Sequence, residues 1–353
     1  MSADRDALVE NLRRQALGCR ALESSFYGEL LELMADDAAV GGPVWSVLGP
    51  HAGEPSDAAY PIRLLGGVHR LVLSGAAPTL AAHFPTVGGD GDVGAMWPDY
   101  LGLLAQRPEP LLDVLRRPPQ TNEVGRSASL VGGFAVVARR TGRPLRLLEI
   151  GTSAGLNLRV DGYWYEQDGS GWGDRSSGVR FVDLWAPARP PFEAAAVIAS
   201  RRGCDRDPID AGTDAAALTL LSYVWPGQDA RFETLRAALE IAARVPVPID
   251  QADAVAWLPA QLADPSAARE GWATVVMHSV FWQYLAPAAQ ESILATLNSA
   301  GARATSTAPL AYLRLEPTAR GNSLELLLTS WPGGEQEVLA KAGFHAGRVT
   351  WLE

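Results

Sequence analysis

At 353 residues, 47% of them hydrophobic, the chain has material for one large or two ordinary domains and a sizeable core. Its formal charge of −10 repels a phosphate backbone, which argues against nucleic acid as a partner. No apolar run approaches the ~20 residues of a membrane span, the first forty residues do not read as a signal peptide, and Cys19 and Cys204 are far apart, so a cytoplasmic protein with reduced thiols, no membrane partner and no metal site is expected.

In chain order, residues 1–140 carry helical periodicity: Leu8, Leu12, Leu17, Leu22, Phe26, Leu30 and Leu33 recur every three to five residues. Further helices are predicted over 61–74, 97–106 and 123–140, with loops at 41–58 and 84–95 and no convincing strand before Leu145. From 143 onward strands alternate with helices, the pattern of a parallel sheet with helical crossovers. Strands are predicted at Leu145–Ile150, Val197–Arg202, Pro248–Gln251, Thr274–His278, Ala308–Leu315, Leu324–Ser330 and Arg348–Leu352. A helix is predicted over Ala288–Ala300, between Pro287 and Gly301, and a short one over 335–342. Residues 161–192, with Tyr163-Trp-Tyr165 and a Gly/Ser-rich tip, read as an inserted β-hairpin. The expected fold is α/β, with an all-helical cap or substrate domain over 1–140 and a Rossmann-like sheet domain over 141–353.

The first strand runs through Glu149 into Gly151-Thr-Ser-Ala-Gly155 and a predicted helix. Two chemistries share that spelling. As Glu-x-Gly-x-x-x-Gly it is the nucleotide-side loop of an S-adenosylmethionine-binding sheet; as Gly-x-Ser-x-Gly it is the nucleophile elbow of a serine hydrolase. Leu156 stands where a dinucleotide fingerprint needs Gly or Ala, which disfavours a nicotinamide or flavin dinucleotide. Burying the Glu149 carboxylate is costly without a partner, so a role in holding a ligand competes with a structural pairing to backbone or arginine.

Five strings, Gln120-Thr-Asn-Glu-Val-Gly-Arg126, Leu148-Glu-Ile-Gly-Thr-Ser-Ala-Gly-Leu-Asn157, Arg202-Gly-Cys-Asp-Arg-Asp-Pro208, His278-Ser-Val-Phe-Trp-Gln-Tyr284 and Thr329-Ser-Trp-Pro-Gly-Gly334, resemble the bacterial domain of unknown function 2332 family over nearly the whole chain. That family looks like class I S-adenosylmethionine-dependent methyltransferases. The resemblance implies a class I methyltransferase sheet that binds S-adenosylmethionine and releases S-adenosylhomocysteine. It implies that Glu149, Gly151, Thr152, Ser153, Gly155 and Asn157 form the cofactor loop, that Asp205 holds the ribose hydroxyls, and that Asp253 with Ala254 meets the adenine. Asp161 is a rival to Asp205. Ser153 departs from the usual middle glycine, the hairpin lengthens the gap to Asp205, and no Asn/Asp-Pro-Pro-Tyr/Phe tetrapeptide follows the fourth strand. The last departure argues against methylation of amide or base nitrogens.

His278, at the predicted end of the fourth strand, reads as a general base at the mouth of the crevice, as a residue lining the cofactor pocket, or as a histidine hydrogen-bonded beneath the sheet. Trp282 and Tyr284 are candidates to face a sulfonium or an aromatic substrate, with core packing as the alternative. Thr121 and Asn122 read as helix caps, whereas Glu123 and Arg126 are candidates for the reaction side, Arg126 as a bidentate carboxylate partner. Tyr163, Trp164, Tyr165 and Trp172 form either a lid or the packing of the insertion. The acceptor is expected to be a small molecule. A hydrolase would use Ser153 with Asp253 and either His278 or His345, but the helical region upstream supplies no earlier strand for an oxyanion hole. A non-catalytic cofactor binder, or transfer of the aminocarboxypropyl chain instead of the methyl group, shares the same loop.

Overall fold

The computed structural model describes residues 3–55, 59–106, 109–116, 119, 121–263, 271–318, 321, 323–345 and 347–353. They form two compact units, one of residues 1–121 with 214–233 and one of residues 122–213 with 234–353.

In the first unit, α1 (Ala3–Ala21) packs against α2 (Ser25–Val40). The apolar stripe of Leu8, Leu12, Ala16 and Cys19 is buried on Leu30, Leu31, Met34 and Ala38, and α2 stops at Gly41, whose φ of 82° suits a residue without Cβ. Short helices α3 (Pro43–Leu48), α4 (Tyr60–Leu73), α5 (Pro78–Ala81), α6 (Val93–Gln106) and α7 (Glu109–Leu115) complete the chain before the second unit. No strand occurs among the described residues of this unit. Helix α4 is sealed by Tyr223, whose ring approaches so closely that a Cβ at Gly66 would lie 2.6 Å from it.

The second unit begins with α8 (Ser127–Thr141), which leads into β1 (Leu145–Ile150). Strands β2 (Trp164–Gln167), β3 (Ser170–Gly173), β4 (Arg180–Val182), β5 (Trp185–Pro187) and β6 (Ile198–Asp205) follow. After α9 (Asp214–Ser222), which lies in the first unit, come α10 (Asp229–Arg244), β7 (Ile249–Gln251), α11 (Ala254–Ala263), β8 (Ala273–Ser279), α12 (Pro287–Gly301) and β9 (Leu310–Pro317). The chain ends with β10 (Leu324–Trp331), β11 (Glu335–Ala342) and β12 (Val349–Trp351).

Nine strands make one sheet in the order β5-β12-β11-β10-β9-β8-β1-β6-β7. The strands from β9 to β7 are parallel, and β10, β11 and β12 continue the sheet as an antiparallel meander. The chain runs outward from β1 to β6 and β7 and then returns to β8 on the opposite side of β1. The gap between the carboxyl ends of β1 and β8 is therefore the point where the winding reverses, the place where open α/β sheets bind ligands.

Alternation along the strands divides the core. Leu148, Ile150, Val276 and Tyr312 pack on Trp257, Leu258, Ile293 and Leu297 of α11 and α12. On the opposite face α8 approaches the sheet through paired glycines. A Cβ at Gly133 would lie 2.5 Å from Leu313, and one at Gly132 would lie 2.4 Å from the Trp351 ring.

Three sequence expectations change. Residues 335–342 form strand β11 rather than a helix, because Trp331-Pro-Gly-Gly334 is a hairpin turn, with Gly333 and Gly334 at φ 122° and 75° and Gly334 N–H donating to the Ser330 carbonyl at 2.8 Å. The helix expected after Gly155 is a 3-10 segment, Leu156–Gly162, interrupted where Arg159 leaves helical geometry. The insertion is more than a hairpin. β2 and β3 do turn through Asp168-Gly169, both with positive φ, but β4 adds a third strand parallel to β2, and β5 pairs with β12 in the main sheet.

The contact of α8 with the sheet yields a stability test. On helix propensity alone Gly132→Ala would gain about 1 kcal/mol, but the fully buried Trp351 ring leaves no room for the methyl group. The substitution is expected to cost roughly 1–3 kcal/mol by overpacking. A thermal melt unchanged from the parent would show that the helix can recede freely.

Candidate functional site

The loop after β1 is held by its neighbours on the sheet. The N–H of Thr152 donates to the Cys204 carbonyl at 3.1 Å, and that of Ser153 donates to Asp205 Oδ2 at 2.8 Å. The other oxygen of Asp205 accepts the N–H of Asp207 at 3.0 Å, so this carboxylate ties the loop and the end of β6 together. Gly151, Ser153 and Gly155 all have positive φ, at 68°, 51° and 68°. A Cβ at Gly151 would fall 2.1 Å from the Phe281 ring, and one at Gly155 would fall 2.8 Å from Ile249.

Val280, just past β8, also has positive φ, 49°, and β-branched residues rarely tolerate that conformation. Strained non-glycine residues thus stand at the carboxyl ends of both β1 and β8, flanking the switch point. Such strain persists where the surrounding structure over-determines it, most often at ligand sites.

Arg159 turns back into the loop. Its Nη1 donates to the carbonyls of Ala154 and Gly155 at 3.2 and 2.9 Å, and its Nε donates to Val245 at 2.8 Å. Burial lowers its pKa, and the ring of carbonyls replaces the lost water. Leu156 N–H donates to Asn122 Oδ1 at 2.9 Å, so Asn122 caps this distant turn. Asn157 is buried, with Nδ2 3.4 Å from the Glu123 carbonyl and Oδ1 without a hydrogen-bond partner.

Glu149 is buried behind the loop and accepts a hydrogen bond from the Thr152 hydroxyl. Burial pushes its pKa up to about 8, aided by the charge of Asp205; the Thr152 hydroxyl, Arg159 and Arg126 pull the other way. Arg126 Nη1 donates to the Ser279 carbonyl at 3.3 Å, which links the strap before α8 to the end of β8. Glu123 caps that strap by accepting the Gly125 N–H at 3.0 Å, and its second oxygen meets His345 Nδ1 at 3.2 Å.

The remaining candidates lie apart from this cluster. Asp253 sits beyond β7, capping α11 through the N–H of Val255 at 2.8 Å, with Ala254 buried in the first turn. Asp161, the rival to Asp205, is engaged by Arg201 through both oxygens at 2.6 and 2.5 Å. His278 is fully buried, with Nδ1 2.5 Å from Glu316 Oε1 and Nε2 2.6 Å from the Tyr312 hydroxyl. It stacks on Trp282, whereas Tyr284 is exposed. Because Glu149 pairs with Met277 in register, the pleat sends Glu149 and His278 to opposite faces of the sheet. Of the motif quoted above, Gln120 lies outside the described residues.

Glu316 is the residue that sequence reasoning missed. One oxygen gathers His278 together with the N–H groups of Phe281 and Trp282, at 2.9 and 3.3 Å, and so shapes the turn after β8. Its signal was present: like Glu149, it is a lone acid near the end of an apolar strand. Tyr163, Trp164 and Tyr165 are buried, and Tyr165 stacks on Phe181, so these rings are the packing of the insertion. An open groove of about 630 Å³ beside β5, lined by Arg139, Trp185 and Arg189 among others, shares no residue with the loop. Among the described residues no group of His, Cys, Asp and Glu is placed to hold a metal ion, and no helix is long and apolar enough to cross a membrane. Cys19 and Cys204 are free and buried, and burial raises both thiol pKa values, to about 11 and about 12.

The family model described as "Uncharacterized protein conserved in bacteria (DUF2332)" matches residues 9–351. The chain belongs to this family. Neither a curated protein nor a solved structure matches it. In this DUF2332 chain, the loop, Glu149, Asp205 and the 122–126 strap meet at the switch point of the sheet.

Glu149 makes the site sensitive to pH. A carboxyl whose folded pKa is about 8, against 4.5 ordinarily, keeps its proton in the native state after the unfolded chain has lost it. Native stability therefore falls as pH rises between those values, by up to roughly 1.4 kcal/mol per pH unit, and the loss levels off above the upper one. Glu149→Gln, which carries no charge, is expected to gain melting temperature over wild type progressively from pH 5 to 8. A difference that stays flat with pH would mean that Glu149 ionises normally in the fold.

Proposed function

We propose that this protein binds S-adenosylmethionine at the Gly151–Gly155 loop and transfers its methyl group to a small-molecule acceptor. The observation that carries the reading is the loop itself, a glycine-shaped cradle clamped by Asp205 at the point where the parallel sheet reverses its winding. The order of the five parallel strands supports a Rossmann-like arrangement of the class I methyltransferase kind, which β10, β11 and β12 continue as an antiparallel meander.

The residues present fit the group. Gly151 and Gly155 let the loop lie against Phe281 and Ile249 at the strand ends, which carry acceptors rather than the crowded glycines a pyrophosphate needs. In this reading Asp205 holds the ribose hydroxyls, and Asp253 with Ala254 flanks the adenine. Thr152, Ser153, Asn157 and Glu149 line the amino-acid end, where the orphaned Asn157 Oδ1 offers an acceptor to an ammonium. Arg126 stands on the same side for a carboxylate. When bound, the sulfonium would supply an electrophilic methyl group; the protein's part is to orient the acceptor, exclude water and take up a proton. The acidic net charge favours a small acceptor over a nucleic acid, and we place the activity in the cytoplasm.

One observation favours the serine hydrolase reading: Ser153 has the positive φ of a nucleophile at a tight turn. Against it, the turn leads into a 3-10 segment, and His278 engages Glu316 and Tyr312 on the other face.

Calorimetry with S-adenosylhomocysteine separates these readings. Wild type is expected to bind, and Asp205→Ala to bind at least about tenfold more weakly, since a hydrogen bond to a charged group is lost. No heat from wild type at millimolar ligand would overturn the cofactor reading, and labelling of Ser153 by a fluorophosphonate would favour the hydrolase.

A further inference from the structure

Glu316 grips the turn after β8 with one oxygen. Its Oε1 accepts the N–H groups of Phe281 and Trp282 and meets His278 Nδ1, while the N–H of Val280 donates to the Leu315 carbonyl at 2.9 Å. The other oxygen is buried without a hydrogen-bond partner among the described residues, so the cost of burying this carboxylate is offset at Oε1 alone. The turn is thereby held with Val280 in the left-handed region.

That hold places one ring. A Cβ built on Gly151 would lie 2.1 Å from Cδ2 of Phe281 and 2.6 Å from both Cγ and Cε2, the ring atoms on either side of it. An approach from the ring edge would leave those two neighbours farther off, so Gly151 lies against the face. The turn after β8 thus reaches across the switch point to the first residue after β1. Of the aromatic residues at 281–284, Trp282 stacks on His278 and Tyr284 is exposed, so Phe281 is the one that meets the loop. Its side chain is half-buried and keeps surface that a ligand can cover.

We propose that Phe281 is a wall of the ligand site at the switch point and that Glu316 is the residue that positions it. The proposal rests on the cofactor reading above and deepens it by naming an apolar contact on the β8 side of the loop, across β1 from Asp205 on the β6 side. An apolar ring beside the glycine loop offers nothing to a phosphate, which needs donors there, and suits the sulfur-bearing chain of the cofactor. Because the ring clasps Gly151, the strained residues Ser153 and Val280 are held as one unit across the gap, and the ligand meets a preformed surface.

Fluorine NMR on the full chain labelled with para-fluorophenylalanine tests both parts, since its eight phenylalanines are few enough to assign Phe281 with Phe281→Leu. In the free protein, Glu316→Ala is expected to move the Phe281 signal and to speed amide exchange at Ser153 about tenfold. Glu316→Gln, which keeps an acceptor for the two N–H groups, is expected to restore both. A Phe281 signal unmoved by Glu316→Ala, or not restored by Glu316→Gln, overturns the positioning role. Phe281→Leu is also expected to speed exchange at Ser153, and unchanged exchange there overturns the clasp whether or not Glu316→Ala folds. Titration with S-adenosylhomocysteine, its binding followed by calorimetry, is expected to shift the Phe281 signal more than that of any other phenylalanine, which a ring that only fills the core would not show. Binding heat without that shift overturns this proposal and leaves the cofactor reading standing; absence of binding heat overturns the cofactor reading itself, and the contact with it.

Discussion

The hydrogen bond from the Ser153 main chain to Asp205 is the contact on which the rest of the site depends. It joins the loop after β1 to the end of β6, the neighbouring strand, and holds a non-glycine residue in the left-handed region. With that point pinned, Gly151 can lie against Phe281, Gly155 against Ile249, and the chain can turn into the 3-10 segment that carries Asn157 and Arg159. A loop left to its own preferences would relax Ser153 into a commoner conformation, and the cradle would lose its shape.

The polar groups near the switch point are divided by the sheet. On the α8 face, Glu149, Thr152, Asn157, Glu123 and Arg126 form a cluster in which burial keeps Glu149 protonated near neutral pH. On the face covered by α11 and α12, Glu316, His278 and Tyr312 form a chain whose carboxylate also collects two main-chain donors. The second group shapes the turn after β8 from beneath and the first lines it from above. Buried polar networks of this kind are costly unless satisfied, and both are built from acids at the ends of otherwise apolar strands.

Much of this was legible in the residues. The apolar run Leu145–Ile150, with its carboxylate and the two glycines that follow, marks the loop, and the family resemblance points to Asp205 after the strand Val197–Arg202. The mixed polar and apolar pattern of 335–342 resembles a helix face, although the Pro-Gly-Gly before it encodes the hairpin that makes it a strand. The partners Glu316–His278 and Glu123–His345, 38 and 222 residues apart, carry no local signature.

What the sequence determined by itself is local: helices where apolar residues recur on one face, strands where they run together, turns where glycine and proline demand them, and the chemistry available at each strand end. The tertiary structure decided which of those ends meet. The pleat put Glu149 and His278 on opposite faces, the register set Asp205 against Ser153, and the strap before α8 brought Glu123 to His345. Register, face and long-range pairing depend on strand order, which neither the periodicity nor the composition of any one segment contains.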